Sequence, residues 1–203
     1  MKKVLLAAVV ALGFVLTGCG GAKLSPEVAA NFDSHAKLYT TRNMHYNVSR
    51  RAKIVDTTNY QVGILIPVNS EVTMDSINRK QLVFTYKGQR IILRNRVKYT
   101  GVGIDEIAKR YFSPKKVDLS KFSEKERRAI RVAQVIPGMS KKAVLIALGT
   151  PPAHVTPSTE MNQWRYWRTR WSTFFINFKD GKATNSSTDV QKNNNHGLIL
   201  RVR

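Results

Sequence analysis

The chain has almost no cysteine, few acidic residues and no long apolar run, and each scarcity excludes something. A single cysteine, Cys19, among 203 residues allows neither an internal disulfide nor a cysteine metal site, so the fold must rest on its core. Asp and Glu number 13 against 34 Lys and Arg, a formal net charge of +21. The adjacent acids Asp105 and Glu106 point in different directions on a helix, which excludes a paired general acid and base. The four histidines, His35, His45, His154 and His196, form no i, i+4 pair for a metal. There is no glycine-rich phosphate loop: Gly101-x-Gly103 is too short and reads as a flexible start to a helix. No serine stands in a nucleophile-elbow context. A non-enzymatic protein without cofactor or metal is expected. The main apolar run, Val4 to Val10 continued through Ala11, Leu12, Phe14 and Val15, falls short of the roughly 20 residues of a membrane span.

That run has the anatomy of a secretory signal, with Lys2 and Lys3 before it and small residues after it. It closes on Leu16-Thr17-Gly18-Cys19, and Leu-x-Gly-Cys resembles the lipobox of bacterial lipoproteins. The resemblance implies a signal peptide over 1–18, cleavage before Cys19, diacylation of its thiol with palmitate-type chains, and acylation of the new amine. Each buried lipid CH₂ contributes about 0.8 kcal/mol, so two or three chains anchor a protein almost permanently. Gly20 replaces the acidic residue that favours retention in the inner membrane. The expected location is therefore the inner leaflet of the outer membrane, lipid-anchored and facing the periplasm.

The positive charge is spread along the chain, through Arg50-Arg51, Arg90, Arg94, Arg96, Lys115-Lys116, Arg127-Arg128, Arg165, Arg168 and Arg170. In a cytoplasmic protein such a balance points first to nucleic acid. Outside the cytoplasm the polyanions are anionic lipid head groups, lipopolysaccharide phosphates and acidic protein surfaces, so no nucleic-acid partner is expected.

Residues 19–37 read as a lipidated tether and a short helix opened by Ser25-Pro26-Glu27. Residues 38–118 read as a small β-rich domain. Its strands are Lys53–Val55, Tyr60–Val68, Glu71–Met74 after an Asn69-Ser70 turn, Gln81–Tyr86 and Arg90–Leu93, the last two joined by the hairpin signal Lys87-Gly88-Gln89. Short strands at near-regular spacing predict a small barrel or curled sheet. IPVNSEV followed by FTYKGQRIIL is similar to the SH3-type barrels of bacterial envelope proteins. Ile104, Ile107, Ala108 and Tyr111 place an apolar stripe on a closing helix over Val102–Phe112, stopped by Pro114. Lys115–Lys121 reads as a boundary.

Residues 119–203 read as a second domain with a polar C-terminal tail. Ser123-x-x-Glu126 is a capping box opening a helix to about Val135, and Pro137-Gly138 breaks it. Ser140 caps a second helix with Met139 and Val144 at staple spacing and Val144, Leu145 and Leu148 as its buried stripe. Gly149 sits where a left-handed terminal residue is needed, ahead of Pro151-Pro152. Two strands follow. Trp164 and Tyr166 share one face of Gln163–Arg168, with Arg165 and Trp167 on the other, and Phe174, Ile176 and Phe178 share one face of Trp171–Lys179. Asp180-Gly181 turns the chain into a third strand at Lys182-Ala183-Thr184. Helices and strands kept apart predict an α+β layer, two helices on an antiparallel sheet. Asn185–His196 reads as a mobile polar loop.

IPGMSKKAVLIALGTPP, QWRYW and FFINFKDGKAT resemble the BamE lipoprotein family, also called SmpA/OmlA. The shared residues are Pro137-Gly138-Met139-Ser140, the helix end Leu148-Gly149-x-Pro151, Trp164-x-Tyr166, and the Phe178, Asp180, Gly181 turn. The resemblance covers roughly residues 119 to 185. It implies an ααβββ fold for that part, so the expected α+β protein sets the small N-terminal β-rich domain read from the strand pattern (SH3-like or curled sheet) before a BamE-like domain. It also implies an outer-membrane location, an accessory role in the machinery that inserts β-barrel proteins, and contacts with partner proteins and anionic phospholipid.

Trp167, Arg168, Arg170 and Trp171 form the candidate surface for a partner or lipid, because Trp and Arg are enriched at interface hot spots and suit a head-group boundary. The expected function is a non-enzymatic scaffold or accessory factor in envelope assembly. The alternatives are a basic surface-binding module for anionic lipid, lipopolysaccharide or peptidoglycan, and an inhibitor of envelope enzymes, a role some ααβββ proteins share.

Overall fold

The computed structural model describes residue 32, residues 35–49 and residues 52–189, the side chains of 185–189 excepted. The signal peptide, Leu16, Thr17, Gly18 and Cys19, the helix expected from Ser25, Arg50-Arg51 and the tail beyond 189 lie outside these residues. What is described is sheet-rich and mixed, with four helices among the described residues.

The first half forms strands β1 (Lys37–Thr40), β2 (Met44–Ser49), β3 (Ala52–Asp56), β4 (Ile64–Ile66), β5 (Glu71–Ile77), β6 (Gln81–Tyr86) and β7 (Gln89–Arg94). Helices α1 (Val97–Thr100) and α2 (Ile104–Tyr111) follow, then the two-residue strand β8 (Phe112–Ser113). One curled sheet of eight strands results, in the order β4-β2-β3-β7-β6-β5-β1-β8. All pairs are antiparallel except β3 with β7. Alternation sets the inner face: Val72 and Met74, Leu82 and Phe84, and Ile91 and Leu93 fall on one side of the sheet and are buried. The stripe of α2, Ile104, Ile107, Ala108 and Tyr111, fills the same core. Lys87 and Gly88 both carry positive φ, +48° and +70°, as the tight β6–β7 hairpin requires.

The second half forms α3 (Glu124–Arg131), α4 (Lys141–Leu148), β9 (Gln163–Trp167), β10 (Thr173–Lys179) and β11 (Lys182–Asp189), the strands in the antiparallel order β11-β10-β9. The capping box is present: Ser123 Oγ accepts from Glu126 N at 3.2 Å and Glu126 Oε2 accepts from Ser123 N at 3.0 Å. Ser140 caps α4 by accepting from Ala143 N at 3.3 Å. Asp180 and Gly181, with φ of +51° and +72°, make the β10–β11 turn. Gly138, at φ +85°, sits in the turn before α4, and Met139 behind it is fully buried.

Several expectations are corrected. The strand drawn over Tyr60–Val68 is only Ile64–Ile66, because Asn59 and Gly63 hold positive φ and break the extended run before it. The helix drawn to Val135 stops at Arg131, where Ala133 turns to φ +53° and Gln134 N folds back onto Ala129 O. The stripe of α4 is wider than Val144, Leu145 and Leu148: Ala143, Ile146 and Ala147 are also buried, and Leu145 only half so. This helix is covered on more than one side, since Asn43 from the first half reaches it through its N–H to Ile146 O at 2.9 Å. Gly149 has the expected positive φ, +80°, but its ψ of −176° is extended, not left-handed helical. Asn185–Asp189, read as polar loop, continues β11, because residues 173–176 of β10 gain their ladder partners there.

There are two buried clusters. The first lies inside the curled sheet; the second lies between α3, α4 and the three-stranded sheet, with Trp164 and Tyr166 fully buried in it. Val68, assigned by sequence to the first domain, belongs to the second cluster.

Candidate functional site

The site residues come from β9 and the turn after it. Alternation along β9 puts Trp164 and Tyr166 in the core and leaves Arg165 and Trp167 half-buried on the outer face. The chain then reverses through Arg168–Ser172. Arg168 N donates to Ser172 O at 2.8 Å, and Trp171 N donates to Thr169 Oγ1 at 3.2 Å. This tight turn places Arg168, Arg170 and Trp171 outward, and Trp171 is 75% exposed.

Guanidinium groups and rings interleave along this edge. Arg165 lies between the rings of Trp167 and Phe175, its Cζ 5.3 and 5.4 Å from their centroids. Arg168 sits over Phe174 at 5.7 Å and Arg170 over Trp171 at 4.9 Å. Among the described residues none of these three arginines has a carboxylate partner. The scarce acids serve elsewhere: Asp56 holds Arg94 and Arg96, Glu106 holds Arg110, and Glu124 holds Arg128. The turn is therefore an uncompensated positive edge with large apolar surfaces beside the charge.

Two clefts flank it, both along the seam between the halves. One, about 240 Å³, is lined by Thr58, Tyr60, Tyr99, His154, Trp167 and Trp171, with Pro152 and Arg170. Here the exposed His154 ring lies between Tyr99, 4.8 Å away, and Trp167, 5.3 Å away. The hydroxyl of Thr58 is buried without a partner among the described residues. The other cleft, about 370 Å³, is lined by His45, Gln61, Leu148, Arg168, Phe174 and Ile176 among others. His45 Nδ1 and Gln61 Oε1 are buried there without partners among the described residues, and burial lowers the His45 pKa, keeping the ring neutral at physiological pH.

The structure thus brings together all four residues singled out by sequence, Trp167, Arg168, Arg170 and Trp171, and puts Arg168 on one cleft and Arg170 on the other. The family-motif residues Gly138, Met139, Ser140, Gly149, Pro151, Trp164, Tyr166, Phe178, Asp180 and Gly181 are turns, caps and core; Tyr166 OH, for instance, donates to Gly149 O at 3.0 Å inside the core. Sequence reasoning missed Thr58, Tyr60, Tyr99 and His154, which are far apart in the chain and carry no spacing signal. No group of three His, Cys, Asp or Glu that could hold a metal exists among the described residues. No helix among them is long and apolar enough to cross a membrane. Comparison with protein-family models, with characterised proteins and with solved structures returns no match.

Proposed function

We propose that this chain is a non-enzymatic outer-membrane lipoprotein, held in the inner leaflet through Cys19 and facing the periplasm, that acts as a scaffold or accessory factor in outer-membrane protein assembly. The proposal includes a two-part architecture, a β-rich domain over 38–118 and a BamE-like ααβββ domain over 119–203. In its support, α3, α4, β9, β10 and β11 follow one another in that order, and the motif residues occupy the caps, turns and core such a domain needs. Barrel-assembly proteins are the proposed partners.

The observation that carries the reading is Trp171, 75% exposed and flanked by arginines without acidic partners. A large aromatic left open beside guanidinium groups is the composition of an interface anchor. The same unpaired arginines favour a second reading, a module that holds anionic lipid, lipopolysaccharide or peptidoglycan. One experiment separates them. Replacing Trp167 and Trp171 with Ala keeps every charge and removes the apolar anchors, so a protein interface should weaken by about 2 kcal/mol, roughly thirtyfold. Reversing Arg50, Arg51, Lys115 and Lys116 leaves the turn intact and should instead weaken binding to anionic vesicles, in a salt-dependent way. Pull-down of barrel-assembly proteins and vesicle binding are measured for both variants. Retention of every partner by the tryptophan pair, with vesicle binding lost on charge reversal, would defeat the scaffold reading in favour of the second.

A further inference from the structure

The smaller cleft has a composition that selects its guest. Its walls are rings, Tyr60, Tyr99, His154, Trp167 and Trp171, contributed by both halves of the molecule. Among the described residues no acid lines it, and Arg170 does. Quaternary ammonium groups, the usual guests of aromatic boxes, are therefore repelled. At about 240 Å³ it is smaller than the roughly 300–1,000 Å³ of pockets for drug-sized ligands, so it takes one ring with its substituents. A polyproline segment is read over several residues at about 3.1 Å each and needs a longer groove. The rings offer flat apolar faces with polar edges, the phenols of Tyr60 and Tyr99 and the indole N–H groups. Thr58, only 7% exposed, adds a hydroxyl that has no partner among the described residues. A buried hydroxyl left unpaired is costly and marks a place where a partner is missing.

We propose that this cleft binds a single pyranose ring carrying an anionic group. The C–H face of the sugar stacks on Trp167 and Trp171, its hydroxyls meet the tyrosines and Thr58, and its carboxylate or phosphate meets Arg170. Two sources share this chemistry, a carboxylated sugar of a cell-wall glycan and a phosphorylated sugar of lipopolysaccharide. The inference goes beyond the scaffold reading, since it concerns a small-molecule site and not a protein contact; it deepens the second reading, and the choice of sources rests on that reading's envelope location.

The test uses the full chain in detergent, with tryptophan fluorescence and indole N–H chemical shifts as readouts. N-acetylmuramic acid and glucosamine 1-phosphate are the two acidic arms; N-acetylglucosamine, inorganic phosphate, adenosine monophosphate and a proline-rich peptide are the controls. At least one acidic sugar should bind about tenfold more tightly than N-acetylglucosamine, the scale of about 1.4 kcal/mol for one charged contact. The arm that binds identifies the source. Trp171→Ala should weaken that binding about tenfold by removing one stacking face. Arg170→Gln should remove the preference for the acidic sugar while leaving the neutral one bound. Thr58→Val should weaken sugar binding without lowering the melting temperature, because the hydroxyl has no partner to lose among the described residues. The inference is overturned if no sugar binds the folded protein, if the nucleotide, peptide or free phosphate binds in place of sugars, or if Thr58→Val lowers the melting temperature and leaves sugar binding unchanged. None of these readouts depends on a barrel-assembly partner, so failure here and failure of the scaffold reading are distinguishable.

Discussion

At Gly149 the backbone takes φ +80° and ψ −176°, a region in which essentially only glycine is unstrained. A second constraint sits across the seam. A Cβ on residue 149 would lie 2.5 Å from Asn59 Nδ2. Asn59 cannot easily retreat, because its amide donates to Leu148 O, where Gln61 Nε2 also donates at 2.9 Å. Gly149→Ala therefore faces backbone strain and a steric clash together, and should destabilise by more than about 1–3 kcal/mol, the range for strain alone. In an Asn59→Ala background the clash disappears and the strain remains. The penalty of Gly149→Ala, measured by urea unfolding, should then fall by about 1 kcal/mol. Strict additivity of the two substitutions would show that Asn59 does not press on this position.

Among the elements, α3 and α4 share one cap. Glu126 Oε2 closes the capping box on Ser123, while its Oε1 accepts from Ser140 N at 3.0 Å and Ser140 Oγ at 3.1 Å. One carboxylate thus faces the starts of two helices, where negative charge is favoured. Burial raises the Glu126 pKa, but the hydrogen bonds from Ser140 and Ser123 outweigh it and hold the group below the ordinary value of 4.5. A depressed carboxylate stabilises the fold above its unfolded pKa, and that contribution is lost as pH falls through the folded value. Glu126→Gln should therefore lower the melting temperature at neutral pH, by a cap's worth of about 1 kcal/mol, and the gap to the parent should close well below pH 4.5. A gap constant with pH would mean that the charge is not what joins the helices. The individual caps were legible in the sequence because each spans three residues, and so were both tight hairpin turns. The shared cap was not, since Glu126 and Ser140 lie 14 residues apart with no periodicity linking them. The same holds for the site. Alternation in β9 told which residues face out, but the cleft needs Tyr99 from α1 and His154 from the loop before β9, and only the folded chain sets those against Trp167.

Across the whole molecule, two apolar cores are joined by a polar seam, and the seam decides whether they behave as one body. Asn43, 1% exposed, lies at its centre. Its Nδ2 donates to Ile130 O and, at 3.1 Å, to Ala147 O, so it caps the ends of both α3 and α4. Its Oδ1 accepts from Val68 N at 2.8 Å, and Val68 packs into the second core. Beside it Arg42 donates to Thr150 Oγ1, Gln61 N donates to Trp167 O at 3.0 Å, and Asn69 Nδ2 donates to Val117 O at 2.9 Å. The Asn43 bonds reach carbonyls at the ends of α3 and α4, and the others join further polar groups along the seam. The second half, with carbonyls at the C-terminal ends of α3 and α4 held by Asn43 of the first, should therefore not melt independently. Trp164 is fully buried in the second core, so its fluorescence, in a chain with Trp167→Phe and Trp171→Phe, reports that core, and amide exchange in β6 reports the first. Both probes should give one coincident unfolding transition. Asn43→Ala removes the donor and acceptor together and leaves buried backbone groups on both sides unpaired. It should cost about 3 kcal/mol, roughly 6–12 °C in melting temperature for a chain of this size, and move both probes equally. If fluorescence shifts while β6 exchange does not, the halves are thermodynamically separate domains that merely touch, and the clefts along their seam would open and close with that contact.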